Sequence, residues 1–72
     1  AMDLKDLQVF CEVARRSGFA AASQEIGTTP AHISKRIAIL EGQLGVRLFH
    51  RTTRRVVITE DGERAFQWAQ RI

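Results

Sequence analysis

Between Thr29-Pro30 and Gly45 the apolar residues Ile33, Ile37, Leu40 and Leu44 fall at i, i+4, i+7 and i+11. This one stripe decides most of what the chain can become, because the spacing keeps four large side chains on one side of a helix. Thr29 can accept a hydrogen bond from a backbone N–H left unpaired at the helix start. Pro30 fits the first helical position, where a missing N–H costs nothing, and Gly45 supplies the stop. At ~100° per residue, Ala31, Lys35 and Ala38 project away from the stripe, with Ser34 on its flank. Gly42 interrupts the helix at a cost of ~1 kcal/mol relative to alanine, for which the sequence offers no account.

The stripe needs partners, and 72 residues leave room for one domain. A chain of that length buries only about 60 % of the surface its unfolded form exposes, so the core must be economical. Asp3 can cap a first helix whose buried face is Leu4, Leu7, Phe10, Val13 and Ala14, with Cys11 packing beside them as a small apolar residue. Ser17-Gly18 ends that helix, and Gly18 leads into a second, short one marked by Phe19, Ala22 and Ile26 and stopped by Gly27. After Gly45 the period changes. Arg47-Leu48-Phe49-His50-Arg51 and Val56-Val57-Ile58-Thr59 are β-prone and separated by Thr52-Thr53-Arg54-Arg55. They read as a hairpin with Phe49, Val56 and Ile58 toward the core and arginines at its tip. Thr59 then caps a last helix, with Glu60 and Asp61 complementing its dipole. Ala65, Phe66, Ala69 and Ile72 form its apolar stripe, and Trp68 sits beside it.

The fold class expected is mainly α: three helices, a small β-hairpin and the start of a longer helix. The boundaries expected are a domain over 2–59, with a helix-turn-helix at about 19–39 and a wing at about 47–59, and a linker helix from 60 to 72. Ala1 ahead of Met2 reads as a cloning remnant before the natural start. No stop signal precedes Ile72, so the last helix reads as cut short and the chain as a fragment of something longer.

The formal net charge of +3 is unevenly spread. Residues 1–34 carry three basic and four acidic side chains, and residues 56–72 carry two and three. Residues 35–55 carry Lys35, Arg36, Arg47, Arg51, Arg54 and Arg55 against Glu41 alone, a local balance of +5 that suits a polyanion. The bland alternative is a solvated basic surface. Several classes are excluded. No apolar run approaches the ~18 residues of a membrane helix, and no secretory signal opens the chain, so the cytoplasm is the compartment expected. Cys11 has no partner for an internal disulfide, and one thiol with His32 and His50 far from it makes a poor zinc site. No acidic metal cluster, activated nucleophile or phosphate-cradling glycine loop points to an enzyme.

Two short helices joined by Gly27-Thr28-Thr29 and followed by a basic hairpin form a winged helix-turn-helix. Its physics suits duplex DNA. A helix fits the major groove and reaches base edges with its N-terminal residues, while N–H groups at its start favour phosphate. Small residues at Ala31 and Ala38 permit close approach, and apolar contact can read a thymine methyl. Arginines on a hairpin tip suit the narrower minor groove and its concentrated negative potential. The DNA-contacting set is therefore read as Thr29, Pro30, Ala31, His32, Ser34, Lys35, Arg36 and Ala38, with Arg51, Arg54 and Arg55 on the wing. A protein-binding winged-helix adaptor is the alternative, one with less reason to combine Lys35, Arg54 and Arg55. His32 reads first as a phosphate-proximal surface histidine and His50 as structural. Arg15 and Arg16 read as complements to the dipole of the first helix.

The chain resembles the LysR-type transcriptional regulators from Leu4 to Gly62. The resemblance rests on Leu4-x-x-Leu7-x-x-Phe10-x-x-Val13-Ala14, Phe19-x-Ala21-Ala22 and Thr29-Pro30-Ala31-x-Ile33-Ser34-Lys35-x-Ile37-x-x-Leu40-Glu41. It continues through Leu44-Gly45-x-x-Leu48-Phe49-x-Arg51 and Thr59-x-x-Gly62. It implies a third helix reading the major groove and a wing touching the minor groove. It also implies a fourth helix that pairs two subunits, with higher homo-oligomers for the full-length protein. A separate effector-binding domain, outside this chain, would take a small-molecule inducer, and no cofactor is implied here. Ala65, Phe66, Trp68, Ala69 and Ile72 are the residues expected at the dimer seam. The chain departs from the family pattern at His32, often alanine, and at Thr28, often valine. The usual Gly-Ser before Phe19 is reversed as Ser17-Gly18, which loses a side-chain cap. Lys35 stands where arginine is commoner, a point charge in place of a bidentate fork.

Overall fold

The computed structural model describes residues 3–51 and 56–72. Helices α1 (Leu4–Arg16), α2 (Phe19–Ile26) and α3 (Pro30–Leu44) are followed by strands β1 (Phe49–Arg51) and β2 (Val56–Ile58) and by α4 (Glu60–Gln70). The caps are those the residue types favour. Asp3 accepts from the Lys5 N–H at 2.9 Å, Thr29 from the His32 N–H at 3.2 Å, and Thr59 from the Gly62 N–H at 2.9 Å. Gly27 and Gly45 close α2 and α3 in the left-handed region. At the end of α1 it is Ser17, with φ 57°, that takes the left-handed cap, while Gly18 is extended and gives α2 no side-chain cap. The reversed Ser17-Gly18 pair thus puts the permissive residue one position too late.

α1, α2 and α3 pack against one another pairwise, and α4 lies on α1. Their shared interior holds Phe10, Val13, Ala22, Ile33, Ile37 and Leu40, all fully buried. The hairpin is antiparallel, with Phe49 opposite Ile58, His50 opposite Val57 and Arg51 opposite Val56. Alternation along the strands turns Phe49 and Ile58 to the core and leaves His50 and Val57 outside. Phe10 is the hub. Its ring meets Phe49 at 5.5 Å and Phe66 of α4 edge-on at 6.3 Å, and Phe49 in turn meets Phe19 of α2 at 6.4 Å. Cys11 packs at the core's edge as expected, and burial pushes its thiol pKa up.

On α1, α2 and α3 one end of each expected stripe misses the core. Leu4 is 56 % exposed, Ile26 42 % and Leu44 38 %. Each lies in the terminal turn of its helix, beyond the reach of a core this small. Conversely Leu48, to which the strand reading assigned no inward face, is fully buried. It lies in the connection from α3 to β1 rather than on the strand.

Two buried carboxylates are the other departure, since neither Asp6 nor Glu41 belongs to an apolar stripe. Asp6 on α1 is 2 % exposed and receives both Nε and Nη2 of Arg36 on α3, at 2.7 and 2.8 Å. This fork-on-fork pair ties the middle of α3 to the first turn of α1, and it raises the pKa of Arg36 further.

Two sets of variants follow from this packing. A Cβ at Gly62 would collide with the Leu48 carbonyl oxygen and lie 2.7 Å from Ile58 Cγ1, whereas one at Gly42 would meet nothing within 4 Å. Gly62→Ala should therefore cost about 1–3 kcal/mol, and Gly42→Ala should stabilise by about 0.5–1 kcal/mol. Urea midpoints at unchanged m-value read both, and equal responses would contradict the close approach of α4. Arg36→Ala should lower the urea midpoint by stranding the buried Asp6 carboxylate. Adding Asp6→Asn should recover part of that loss.

Candidate nucleic-acid interface

α3 is divided as its spacing requires. Ile33, Ile37, Leu40 and Glu41 are buried, while Ala31, His32, Lys35, Ala38 and Gly42 are exposed and Ser34 lies half-buried on the flank. Gly42 falls on the same outward side as Lys35, seven residues on, so the helix presents a shallow face of small residues around a lysine. Thr29 and Pro30 stand exposed at its start. Thr29's hydroxyl accepts from the His32 N–H, which leaves its own O–H as a donor.

Arg36 is the exception. Its guanidinium lies against Asp6, so the structure turns it toward α1 and away from the face of Lys35. Sequence position gives it a place among the basic residues of 35–55, but the helix period puts it on the α1 side. Arg36, expected among the DNA-contacting residues, is held by Asp6 and helps to seat α3 on α1.

Arg51 is also engaged, 3.2 Å from Glu41 Oε1 and 5.6 Å above the Phe19 ring, with 29 % of its side chain exposed. Arg47, which the site expectation did not include, has 63 % of its side chain exposed at the base of the hairpin. Arg54 and Arg55 lie outside the described residues. His50 is exposed on β1 rather than packed as a structural histidine.

Three arginines elsewhere, Arg15, Arg16 and Arg64, are paired with carboxylates. Arg15 and Arg16 both reach Glu12, and Arg16 also lies 3.4 Å from Glu25 on α2, so they do more than complement a dipole. The Arg16 hydrogen bond holds the Glu12 carboxyl below its ordinary range. Arg64 is matched with Asp61 and Glu60 on α4. No group of three or more His, Cys, Asp or Glu that could hold a metal occurs among the described residues. Nor is any helix among them long and apolar enough to cross a membrane.

On α4 the expected seam is split. Ala65, Phe66 and Ala69 are partly used by the chain's own core, Phe66 through Phe10, whereas Trp68 is 46 % and Ile72 68 % exposed. The open apolar surface at this end of the chain is therefore Trp68 on α4 and Ile72, two residues beyond the helix.

Residues 4–63 match the family described as "Bacterial regulatory helix-turn-helix protein, lysR family". The chain is 65 % identical over 69 residues to the HTH-type transcriptional regulator DmlR of Escherichia coli K12, covering 96 % of this chain and 22 % of that protein. It is 44 % identical over 68 residues to the HTH-type transcriptional activator TtdR of the same strain, covering 94 % and 22 %. The chain thus spans about a fifth of the length of these relatives. Among solved structures it superposes on the CbnR DNA-binding domain in complex with DNA with a TM-score of 0.94, at 30 % identity over 97 % of this chain and 80 % of that one. The BenM DNA-binding domain, in complex with benA site 1 DNA, superposes with a TM-score of 0.91 at 30 % identity, over 97 % and 79 %. With both its sequence and its fold accounted for, the chain belongs to the LysR family of bacterial regulatory helix-turn-helix proteins, as a winged helix-turn-helix domain.

Proposed function

We propose that this domain binds duplex DNA sequence-specifically for a LysR-type transcriptional regulator, with α3 in the major groove and the hairpin wing at the minor groove. One observation carries the reading: the outward face of α3 is small and basic while the apolar residues Ile33, Ile37 and Leu40 on its other side are fully buried. A helix so shaped can lie deep in the groove, bringing Lys35 and Ser34 to base edges and adjacent phosphates. Ala31 and Ala38 allow the approach and offer apolar contact to thymine methyls. Thr29, Pro30 and His32 sit where N–H groups and the helix dipole favour phosphate. Arg47 and Arg51 at the base of the wing, with Arg54 and Arg55 between β1 and β2 in sequence, would supply charge against the backbone and the minor groove. The domain acts by binding and not as an enzyme, on the chromosome in the cytoplasm. An inducer would act through a part of the protein beyond this chain.

Two copies would pair through α4. Trp68 and Ile72 are apolar and open, and Ala65, Phe66 and Ala69 border them, so a two-fold seam would bury surface a monomer leaves in water. Half-sites would then lie one or two helical turns apart on one DNA face. Sedimentation at high micromolar concentration should show a dimer, and a strict monomer both free and on DNA would refute the pairing.

The two DNA elements should separate by mutation. Lys35→Ala should cost ~1–3 kcal/mol on the best site and reduce discrimination against altered bases. Arg54→Ala should weaken most sequences by similar factors and make the salt slope shallower by about one unit. Duplexes with A·T-rich flanks should bind best, since a narrow minor groove attracts arginine. Fluorescence anisotropy on matched and scrambled duplexes across a salt series reads all three. Were Arg54→Ala to abolish discrimination and Lys35→Ala to lower all affinities equally, the two elements would have been assigned the wrong way round.

A further inference from the structure

Glu41 occupies the last turn of α3 and is 7 % exposed, a carboxylate where the helix period calls for core. Its Oε2 accepts from the Leu48 N–H at 2.7 Å and from the Phe49 N–H at 3.4 Å. Its Oε1 accepts from Arg51 Nη2 at 3.2 Å, and Arg47 Nε lies 3.5 Å from Oε2. One side chain of α3 therefore holds the entry to β1 by two backbone donors and gathers both arginines at the base of the hairpin. Arg51 is pinned from its other side by the Phe19 ring of α2.

Burying a carboxylate is costly, and an apolar side chain of similar size could fill the space. What a carboxylate supplies there is direction: several donors converge on one anion at fixed angles. We propose that Glu41 is a positioning residue for DNA binding, setting the pose of the wing on the recognition helix so that both address the duplex as one rigid unit. The inference rests on the DNA-binding reading above. Two elements on different grooves gain from being joined stiffly, because the second engages without a further ordering cost. A wing released from Glu41 loses that advantage, while α3, seated by Ile33, Ile37, Leu40 and Arg36, keeps its own contacts.

The test compares this chain with Glu41→Gln on four duplexes, matched or altered in the core site and flanked by A·T or G·C pairs, by anisotropy across a salt series. Glutamine keeps the size and removes the charge. The expected result is an A·T-over-G·C flank preference that falls several-fold toward unity, with discrimination in the core site unchanged. Partial unfolding cannot imitate this, since a reduced competent fraction weakens every duplex by the same factor and leaves the ratios alone. A uniform loss on all four duplexes with wild-type ratios would therefore overturn the proposal. So would tighter binding to all four with a steeper salt slope, the signature of two arginines merely freed from an anion. If Glu41→Gln binds too weakly to measure, Glu41→Asp decides. That variant keeps the charge but shortens the reach, so a reduced flank ratio supports the proposal and a wild-type ratio overturns it. A wild-type chain that binds no duplex removes the DNA-binding reading itself. A wild-type chain that binds, beside a variant with unchanged ratios, removes only the role of Glu41.

Discussion

Phe10 is the contact on which the other elements converge. A ring in the middle of α1, fully buried, it touches Phe49 from the wing and Phe66 from α4, and Phe49 carries the chain of rings on to Phe19 of α2. Aromatic pairs in tilted and edge-on arrangements add about 0.5–1.5 kcal/mol each beyond the area they bury. In a chain so short, where a single core must serve every element, this places one residue at the joint of α1, the hairpin and α4, with α2 joined through Phe49. The three-helix body, the hairpin and the last helix are thus one folding unit, and the outward face of α3 inherits the rigidity of that unit.

Around that apolar hub, charge is sorted by burial. Asp6 and Glu41 are each buried and each committed to arginine, Asp6 to Arg36 and Glu41 to Arg51 with Arg47 at its edge. They act at different points along α3, Asp6 at its middle against α1 and Glu41 in its last turn against β1. The arginines of α1 are absorbed by Glu12 and Glu25. Of the basic groups described on the recognition helix, Lys35 is the one presented outward. A basic segment is thereby divided into residues that hold the fold and residues left facing outward, and formal charge alone does not make that division.

The close approach of Gly62 to the Leu48 carbonyl belongs to the same joint. Thr59 donates its N–H to that carbonyl and its hydroxyl proton to the Arg47 carbonyl, while Glu41 takes the N–H of Leu48. The three residues from Arg47 to Phe49 are gripped from α3 on one side and from the start of α4 on the other. The wing's root and the last helix therefore share a backbone segment, and neither can shift without the other.

Helix starts, caps, the hairpin and its inward residues were legible because they depend on local rules: a spacing of three and four, an oxygen before a helix, alternation along a strand. The outward face of α3 was legible for the same reason, since one helix period separates Lys35 and Ala38 from Ile33 and Ile37. What only the tertiary structure decided is which partners lie across the gaps between elements. Leu4, Ile26 and Leu44 obey the period but end beyond the core, and Leu48 breaks the strand pattern yet is fully buried. Arg36 and Glu41 read as one more cation and its lone counter-charge, and folding makes the first a strut and the second a hinge pin. Period and capping are properties of neighbours along the chain, whereas burial of a charge depends on what a distant segment brings to it, thirty residues away in the case of Asp6 and Arg36.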